Sequence, residues 1–256
     1  MKLLASILSI LFYSSLSAQK EQPQIRTLDS RFSNKTKCLN PEYLLFPAKP
    51  KRDENPALLI YLHGGGGVGD DVRRLQGQAR ALLEGINRFR KGPCHLVVPQ
   101  CSRTRKAGGR GTWEASDLDL LLKGLSSSLK FDSKRIYLTG NSMGGYGSWT
   151  WGGKSPQHFA AIAPVVGGIG PGGPKDVTPD LDQWAANLAK VPIYAFAGAN
   201  DRVVPAERSE RMVMAIRKAG GKLAKIKVYR DQGHNAREVV YSSKEFYDWM
   251  FAQKRK

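Results

Sequence analysis

Cysteine and histidine are scarce in this chain, which limits the chemistry it can support. The 256 residues include three cysteines and four histidines, and no spacing among them resembles a zinc site. We therefore expect neither a metal nor an organic cofactor. The odd number of cysteines leaves at least one thiol unpaired. Cys94 and Cys101 flank a predicted strand at 95–98, which keeps them apart, so a disulfide would join Cys38 to one of them.

Long apolar segments are lacking after the first 18 residues. At the N-terminus, Lys2 precedes an apolar run over residues 3–16, and small residues follow up to Ala18. This order is typical of a secretory signal peptide. The alternative is a membrane anchor, which the serines within the run disfavour. We predict a signal peptide over residues 1–18, a secreted or periplasmic location, and no transmembrane segment after cleavage.

Acidic residues are few relative to basic ones. The chain has 22 Asp and Glu against 40 Lys and Arg, for a formal net charge of +18. The basic residues are scattered and form no stripe interleaved with aromatics, so no nucleic-acid partner is expected. The charge either keeps the protein in solution or attracts an acidic polymer or anionic surface. The sequence leaves the oligomeric state open.

Apolar strands alternate with amphipathic helices from residue 57 onwards. Strands are predicted at 57–62, 95–98, 135–139, 159–166, 191–197 and 224–230, with helical segments between them. This alternation predicts an α/β fold with a mostly parallel sheet and helices on both faces. We divide the chain into a signal peptide, an N-terminal segment at 19–54 with an edge hairpin within 32–46, and one catalytic domain at 55–253.

A G-x-S-x-G sequence occupies residues 140–144, between a predicted strand and a predicted helix. A serine on such a turn has an exposed hydroxyl, and the flanking glycines allow other backbone to pack closely. Ser142 is therefore the candidate nucleophile. It needs a histidine to accept its proton and a carboxylate to orient that histidine.

Position along the strands selects the histidine. Reactive groups of such sheets gather at the carboxyl ends of the strands. His95 opens its strand and His158 precedes one, so both lie at the wrong end, and His63 heads a glycine run that suggests another role. His234 follows the last strand, in the loop before the closing helix, and is the candidate base.

The carboxylate should follow a strand between the serine and His234. Asp201 follows the strand at 191–197 after a short turn, at the correct end of the sheet. Asp231 is the rival because it shares the loop of His234, but it is too close in sequence to approach the ring from behind. Asp201 is preferred.

Backbone amides are the candidates for stabilising an oxyanion. The amide of Met143 begins the helix after the serine, and a second amide should come from the glycine run at 64–67. We assign Gly65, with Gly64 or Gly66 as alternatives. The run lacks the Gly-Lys-Ser/Thr ending of a phosphate loop. Gly64 and Trp113, which follows a strand at the same edge, are candidate substrate-binding residues.

Several motifs together resemble the α/β-hydrolase superfamily. They lie at residues 62–66, 135–147, 159–164, 198–205 and 233–234. The sequence is similar to its secreted bacterial carboxylesterase branch, grouped with phospholipase/carboxylesterases, feruloyl esterases and polyhydroxybutyrate depolymerase-like proteins. The resemblance implies the α/β-hydrolase fold, the order Ser142, Asp201, His234, and cleavage of a small-molecule or polysaccharide-linked carboxylic ester through an acyl-enzyme.

Two other functions remain open. Prolyl-oligopeptidase-like serine peptidases share this domain, although they often carry tyrosine where this chain has Met143 and add a propeller that is absent here. A non-catalytic, hydrolase-like domain could instead bind carbohydrate or an anionic polymer through its basic surface. The natural ester is not indicated by the sequence.

Overall fold

The computed structural model describes residues 23–49, 52–90, 92–103, 112–170 and 176–256. The predicted signal peptide lies outside these residues. Eight strands form one sheet in the order β1-β2-β4-β3-β5-β6-β7-β8. The strands are β1 Gln24–Thr27, β2 Leu39–Phe46, β3 Ala57–Leu62, β4 Cys94–Cys101, β5 Ile136–Asn141, β6 Ala161–Val165, β7 Ile193–Gly198 and β8 Ala224–Tyr229.

Strands β3 to β8 are parallel to one another. Strands β1 and β2 are antiparallel and extend the sheet at one edge. The helices are α1 Ser30–Ser33, α2 Leu75–Phe89, α3 Ala115–Ser128, α4 Met143–Lys154, α5 Leu181–Leu188, α6 Glu207–Lys218, α7 Arg237–Tyr241 and α8 Lys244–Phe251. None of these helices in the described part of the chain combines the length and apolar character needed to cross a bilayer.

The sheet is covered by helices on both faces, as predicted. All six residues of β3 are buried. Leu58, Ile60 and Leu62 pack with helices α3, α4, α5 and α6, whereas Leu59 and Tyr61 pack with α2, α7 and α8. Successive side chains of a strand point to opposite faces, so a continuous apolar run is what a strand between two helical layers requires. The predicted mostly parallel α/β fold is confirmed.

The edge hairpin differs from its predicted bounds. The first strand is β1, at Gln24–Thr27, and it pairs with β2 so that Gln24 lies opposite Leu45 and Thr27 opposite Glu42. Phe32, predicted to lie in the hairpin, is in helix α1 instead. Because β1 is an edge strand with mostly exposed residues, its sequence carries no apolar alternation to reveal it.

Strand β4 continues beyond the predicted stop at Pro99. It runs to Cys101, and its pairing with β3 ends at Val97. Pro99 lies opposite Tyr43, at an irregularity in the pairing with β2. Because the pairing with β3 has already ended at Val97, a residue without an amide hydrogen fits the strand at this position. The predicted closing helix is likewise two helices, α7 and α8, separated where Ser243 takes an extended conformation.

The parallel strands place four connections at one edge of the sheet. The glycine run follows β3, Ser142 follows β5, Asp201 follows β7 and His234 follows β8. The carboxyl ends of neighbouring parallel strands lie together, which is where ligands bind in open α/β sheets. The topology therefore brings together residues that are up to 170 positions apart in the sequence, from Gly64 to His234.

Candidate active site

The turn that carries Ser142 is strained and crowded. Ser142 has φ 54° and ψ −119°, a conformation that non-glycine residues rarely adopt and that is found mainly at functional sites. A Cβ added to Gly140 would overlap the carbonyl of Gly144, and one added to Gly144 would overlap the carbonyl oxygen of Leu62. Both glycines of the motif therefore allow backbone segments to touch, as the sequence predicts.

A continuous chain of hydrogen bonds joins Ser142 to a buried carboxylate. His234 Nε2 lies 2.9 Å from Ser142 Oγ, and His234 Nδ1 lies 2.8 Å from Asp201 Oδ2. The Asp201 side chain has no exposed surface, whereas 31% of the His234 side chain is exposed. A carboxylate accepts, so Nδ1 carries the proton and Nε2 is left to accept from the serine hydroxyl. Asp231, the rival carboxylate, is exposed at the surface.

Backbone contacts fix both members of the Asp201–His234 pair. The second carboxylate oxygen of Asp201 accepts from the amides of Val203 and Val204, at 2.8 and 2.9 Å. The loop of His234 is held against the end of β7, where the amide of Asn200 donates to the carbonyl of Gln232 at 2.9 Å. The carboxylate and the imidazole therefore have little freedom to separate.

Gly65 and Met143, the candidate oxyanion donors, are both first residues of helices. Gly65 begins a 3₁₀ turn at Gly65–Gly67, and Met143 begins α4. First-turn amides have no partner within their own helix, so both face outward at the helix start. Gly64 is buried, and a Cβ there would lie 3.5 Å from Ser142 Cβ. Gly65 is exposed, with open space where a Cβ would stand.

His63 supports the glycine run and lies away from the proton-transfer chain. Its Nδ1 lies 2.6 Å from the carbonyl oxygen of Gly64, and its Nε2 accepts from the amide of Cys101 at 3.0 Å. These two bonds define a neutral ring with the proton on Nδ1. Burial lowers the pKa of His63 to about 4, because the charged form would lose its hydration. The other role suggested by the sequence is thus a structural one.

Trp113 does not offer its ring to a substrate, which corrects the sequence prediction. The residue is only 5% exposed. Its Nε1 donates to the carbonyl of His63 at 3.2 Å, and its ring packs edge-on against the His63 ring with centroids 4.8 Å apart. A buried indole with a satisfied N–H and a ring packed against a neighbouring side chain acts as core. Trp113 supports the segment that leads into the glycine run.

The two remaining histidines have structural partners away from Ser142. His95 Nδ1 accepts from the amide of Ala48 at 3.0 Å, at the amino end of β4. His158 Nε2 lies 3.1 Å from a carboxylate oxygen of Asp119, between helices α3 and α4. Both histidines therefore lie away from the carboxyl ends of the strands, as the order of strands and helices predicts.

The disulfide that the sequence left open, between Cys38 and either Cys94 or Cys101, is not formed. Cys38, Cys94 and Cys101 are all buried free thiols. Cys94 begins β4 and Cys101 ends it, and the Cys101 thiol donates to the carbonyl of Thr112 at 3.1 Å. Burial raises the pKa of Cys38 and Cys94 to about 11 and that of Cys101 to about 12. Among the described residues, no group of three or more His, Cys, Asp or Glu is placed to hold a metal ion.

Two residues beside the site escaped the sequence analysis. The hydroxyl of Tyr61 donates to Asn141 Oδ1 at 2.6 Å, and Asn141 immediately precedes Ser142. A tyrosine in an otherwise aliphatic strand, three residues before the glycine run, is the signal that could have drawn attention to this pair. Its partner could not be identified without the arrangement of strands β3 and β5.

Comparison with known proteins agrees with this geometry. The dienelactone hydrolase family profile matches residues 111–241, just over half of the chain, and that region includes Ser142, Asp201 and His234. The chain belongs to the dienelactone hydrolase family. A relative from Salmonella typhimurium that bears the name carboxymethylenebutenolidase is 34% identical over 109 residues, 40% of this chain. The match spans only 37% of that relative's length.

Solved structures agree on the fold over a larger part of the chain. A thermostable esterase superimposes with a TM-score of 0.72 at 26% identity, covering 91% of this chain and 63% of the esterase. A ferulic acid esterase superimposes with a TM-score of 0.64 at 17% identity, covering 90% of this chain and 98% of the other. The resemblance to the α/β-hydrolase superfamily is thereby confirmed.

Proposed function

We propose that this protein is a serine hydrolase that cleaves carboxylic esters through an acyl-enzyme. In the first step, Ser142 Oγ attacks the ester carbonyl carbon while its proton passes to His234 Nε2. The carbonyl π electrons move to the oxygen and form a tetrahedral oxyanion. When the intermediate collapses, the C–O bond to the alcohol breaks, and the departing oxygen takes the proton from His234. The alcohol leaves, and the acyl group stays on Ser142.

The second step releases the acid by the same route in reverse. Water attacks the acyl carbon and gives a proton to His234 Nε2. The second tetrahedral intermediate expels Ser142 Oγ, which recovers that proton. In both steps Asp201 keeps the imidazole oriented and stabilises its positive charge without taking the proton. Every bond formed or broken involves the ester, water, Ser142 or His234, so no cofactor is required by this mechanism.

Two backbone amides serve as oxyanion donors in this proposal. The amide of Met143 begins α4 directly after Ser142, and the amide of Gly65 begins the 3₁₀ turn after the neighbouring strand β3. Preorganised amides stabilise the developing charge without rearrangement, and the loss of one such donor typically costs roughly 10² to 10³ in rate. The N-terminus of α4 adds a favourable dipole at the same point.

The observation that carries the proposal is the hydrogen-bonded series Ser142–His234–Asp201, whose members follow strands β5, β8 and β7 at one edge of the sheet. It is supported by the family match and by the esterase that superimposes on most of the chain. A small-molecule ester or an ester linked to a polysaccharide is the substrate class we propose. Neither a peptide bond nor polymer binding explains the strained serine turn better than an ester does.

The test is turnover of p-nitrophenyl acetate by the wild-type protein and by Ser142→Ala. The substitution should lower kcat by up to roughly 10⁶ if the three residues act as a unit. Ser127→Ala is the matched control, because Ser127 is exposed on α3 and its hydroxyl bonds only within that helix. Unchanged turnover in Ser142→Ala would refute the mechanism. Faster cleavage of peptide p-nitroanilides than of esters would favour the peptidase alternative.

We also propose that the protein is exported. The support is the basic residue, apolar run and small-residue exit within residues 1–18. Expression of the full chain with a C-terminal tag, followed by fractionation and N-terminal sequencing, tests it. A mature N-terminus after Ser17 or Ala18 in the periplasmic or extracellular fraction is expected. An intact N-terminus in the cytoplasm would contradict export.

A further inference from the structure

The side chain of Asn141, at the end of β5, lies between Tyr61 of the neighbouring strand β3 and Gly64, the first residue of the glycine run. Its side-chain oxygen accepts the 2.6 Å hydrogen bond from the Tyr61 hydroxyl. Its side-chain nitrogen faces the other way, so that a Cβ added to Gly64 would come within 2.9 Å of it. Asn141 is 5% exposed and Tyr61 is fully buried. The side chain is therefore fixed at one end by a phenol and packs at the other against Gly64.

The orientation of the Gly65 amide follows from the peptide plane. The carbonyl of Gly64 and the amide of Gly65 belong to the same planar peptide, and in a trans peptide they point in opposite directions. The Gly64 carbonyl is fixed by His63 Nδ1 at 2.6 Å and by the amide of Gly67 at 2.9 Å. The Gly65 amide therefore points away from His63. These bonds fix the direction of the Gly65 amide. Its distance from Ser142 depends on another contact.

We propose that Asn141 is a positioning residue that sets this distance, and that Tyr61 acts through it. This inference rests on the proposed ester hydrolysis. The backbone of Asn141 leads directly into Ser142, and its side chain packs against Gly64, one residue before the proposed oxyanion donor. One residue thus couples the position of the nucleophile to that of the donor. Neither Asn141 nor Tyr61 touches the reacting atoms.

Tyr61 suits this role because it remains a hydrogen-bond donor. Burial raises the pKa of its phenol well above the ordinary value, although the positive charge of Arg237 nearby opposes the shift. The ring is also fixed, since it packs edge-on against Tyr241 with centroids 5.8 Å apart. The Asn141 amide therefore has the same partner across the working pH range. A 1 Å displacement of a catalytic group can cost about 10² in rate.

The experiment compares Asn141→Ala, Tyr61→Phe and the double variant, with p-nitrophenyl acetate as substrate and phenylboronic acid as a tetrahedral analogue. Asn141→Ala should lower kcat by about 10- to 100-fold and change KM by less than about threefold, because the donor matters in the transition state. The inhibition constant of the boronic acid should rise in parallel. The pH midpoint of kcat/KM should stay unchanged, because neither substitution alters the hydrogen bonds of His234 to Ser142 and Asp201.

The double variant tests whether Tyr61 acts through Asn141. If it does, Tyr61→Phe lowers kcat by a smaller factor, and the double variant matches Asn141→Ala. Tyr137→Phe is the control, since it removes another buried hydroxyl bond, 2.7 Å to the carbonyl of Gln253, far from the site. It should leave kcat unchanged. Tyr61→Phe keeps the ring and so still tests the proposal if Asn141→Ala does not fold.

The outcomes separate this inference from the proposed function. Wild-type kcat in Asn141→Ala or Tyr61→Phe, or additive losses in the double variant, would overturn the inference alone. A rise in KM with unchanged kcat would also overturn it, because substrate binding and not the transition state would then be affected. A wild-type protein that turns over no ester would overturn the proposed function, and the inference with it.

Discussion

The carbonyl oxygen of Leu62 occupies the space that a Cβ on Gly144 would need. The end of β3 and the first turn of α4 are thus in direct backbone contact beneath Ser142. Gly144→Ala should lower the free energy of unfolding by about 3 kcal/mol or more, because backbone and not a flexible side chain must move. Urea denaturation checks this value.

Gly77→Ala is the control for that substitution. Gly77 is also a helical glycine, in α2, but nothing lies within 4 Å of the Cβ that it would gain. The gain in helix propensity should raise the free energy of unfolding by about 0.5–1 kcal/mol. Equal effects at the two positions would show that Leu62 and Gly144 are not in contact as described.

Asp201→Asn should abolish most turnover without unfolding the protein. The amide oxygen of asparagine can still accept from Val203 and Val204, but its nitrogen would face His234 Nδ1. The imidazole would then carry its proton on Nε2 and could not accept one from Ser142. A loss of about 10⁴ in kcat is expected, measured with p-nitrophenyl acetate. Asp231→Asn, at the exposed rival position, should retain kcat within about twofold. A larger loss in Asp231→Asn than in Asp201→Asn would reverse the assignment.

His63 should make the folded state less stable in acid. Burial lowers its pKa from 6.5 to about 4. Between pH 4 and pH 6.5, His63 is therefore protonated in the unfolded chain but neutral in the folded protein. The stability from the neutral ring is complete above pH 6.5 and is lost as the pH falls towards 4. The expected loss is about 3 kcal/mol. Urea unfolding across this range should show a shallower pH dependence in His63→Gln.

Some pH dependence should remain in that variant, because burial also lowers the pKa of His95 in the folded state. His63→Gln should in addition be less stable than the wild type near pH 7, since the bonds to Gly64 and Cys101 are weakened. An unchanged slope in His63→Gln would show that His63 is not a buried neutral histidine.

Much of the site follows from the sequence because its members stand at strand ends. The order of strands and helices places Ser142, Asp201 and His234 at one edge without any knowledge of side-chain contacts. The strand β3 and the helix α5 are also recognisable from their apolar patterns, with the predicted bounds of β3 matching the structure. The apolar pattern of each segment, together with the right-handed connections between parallel strands, is enough to predict these features.

Other features depend on contacts that no local pattern reveals. The strand β1 is mostly exposed and has no apolar alternation. Trp113 follows a strand at the active edge, but whether it faces substrate or core depends on the ring of His63. The Tyr61–Asn141 bond joins residues on neighbouring strands that are 80 positions apart. Each is decided by tertiary packing.

The most direct test of the account is covalent labelling of the wild-type protein with a fluorophosphonate, followed by peptide mass spectrometry. The probe reacts with a serine only when a base removes its proton and donors stabilise the oxygen formed, so one adduct on Ser142 is expected. His234→Ala should react at least about 10²-fold more slowly. An unlabelled Ser142 in a folded protein, or equal labelling of His234→Ala, would contradict the central claim.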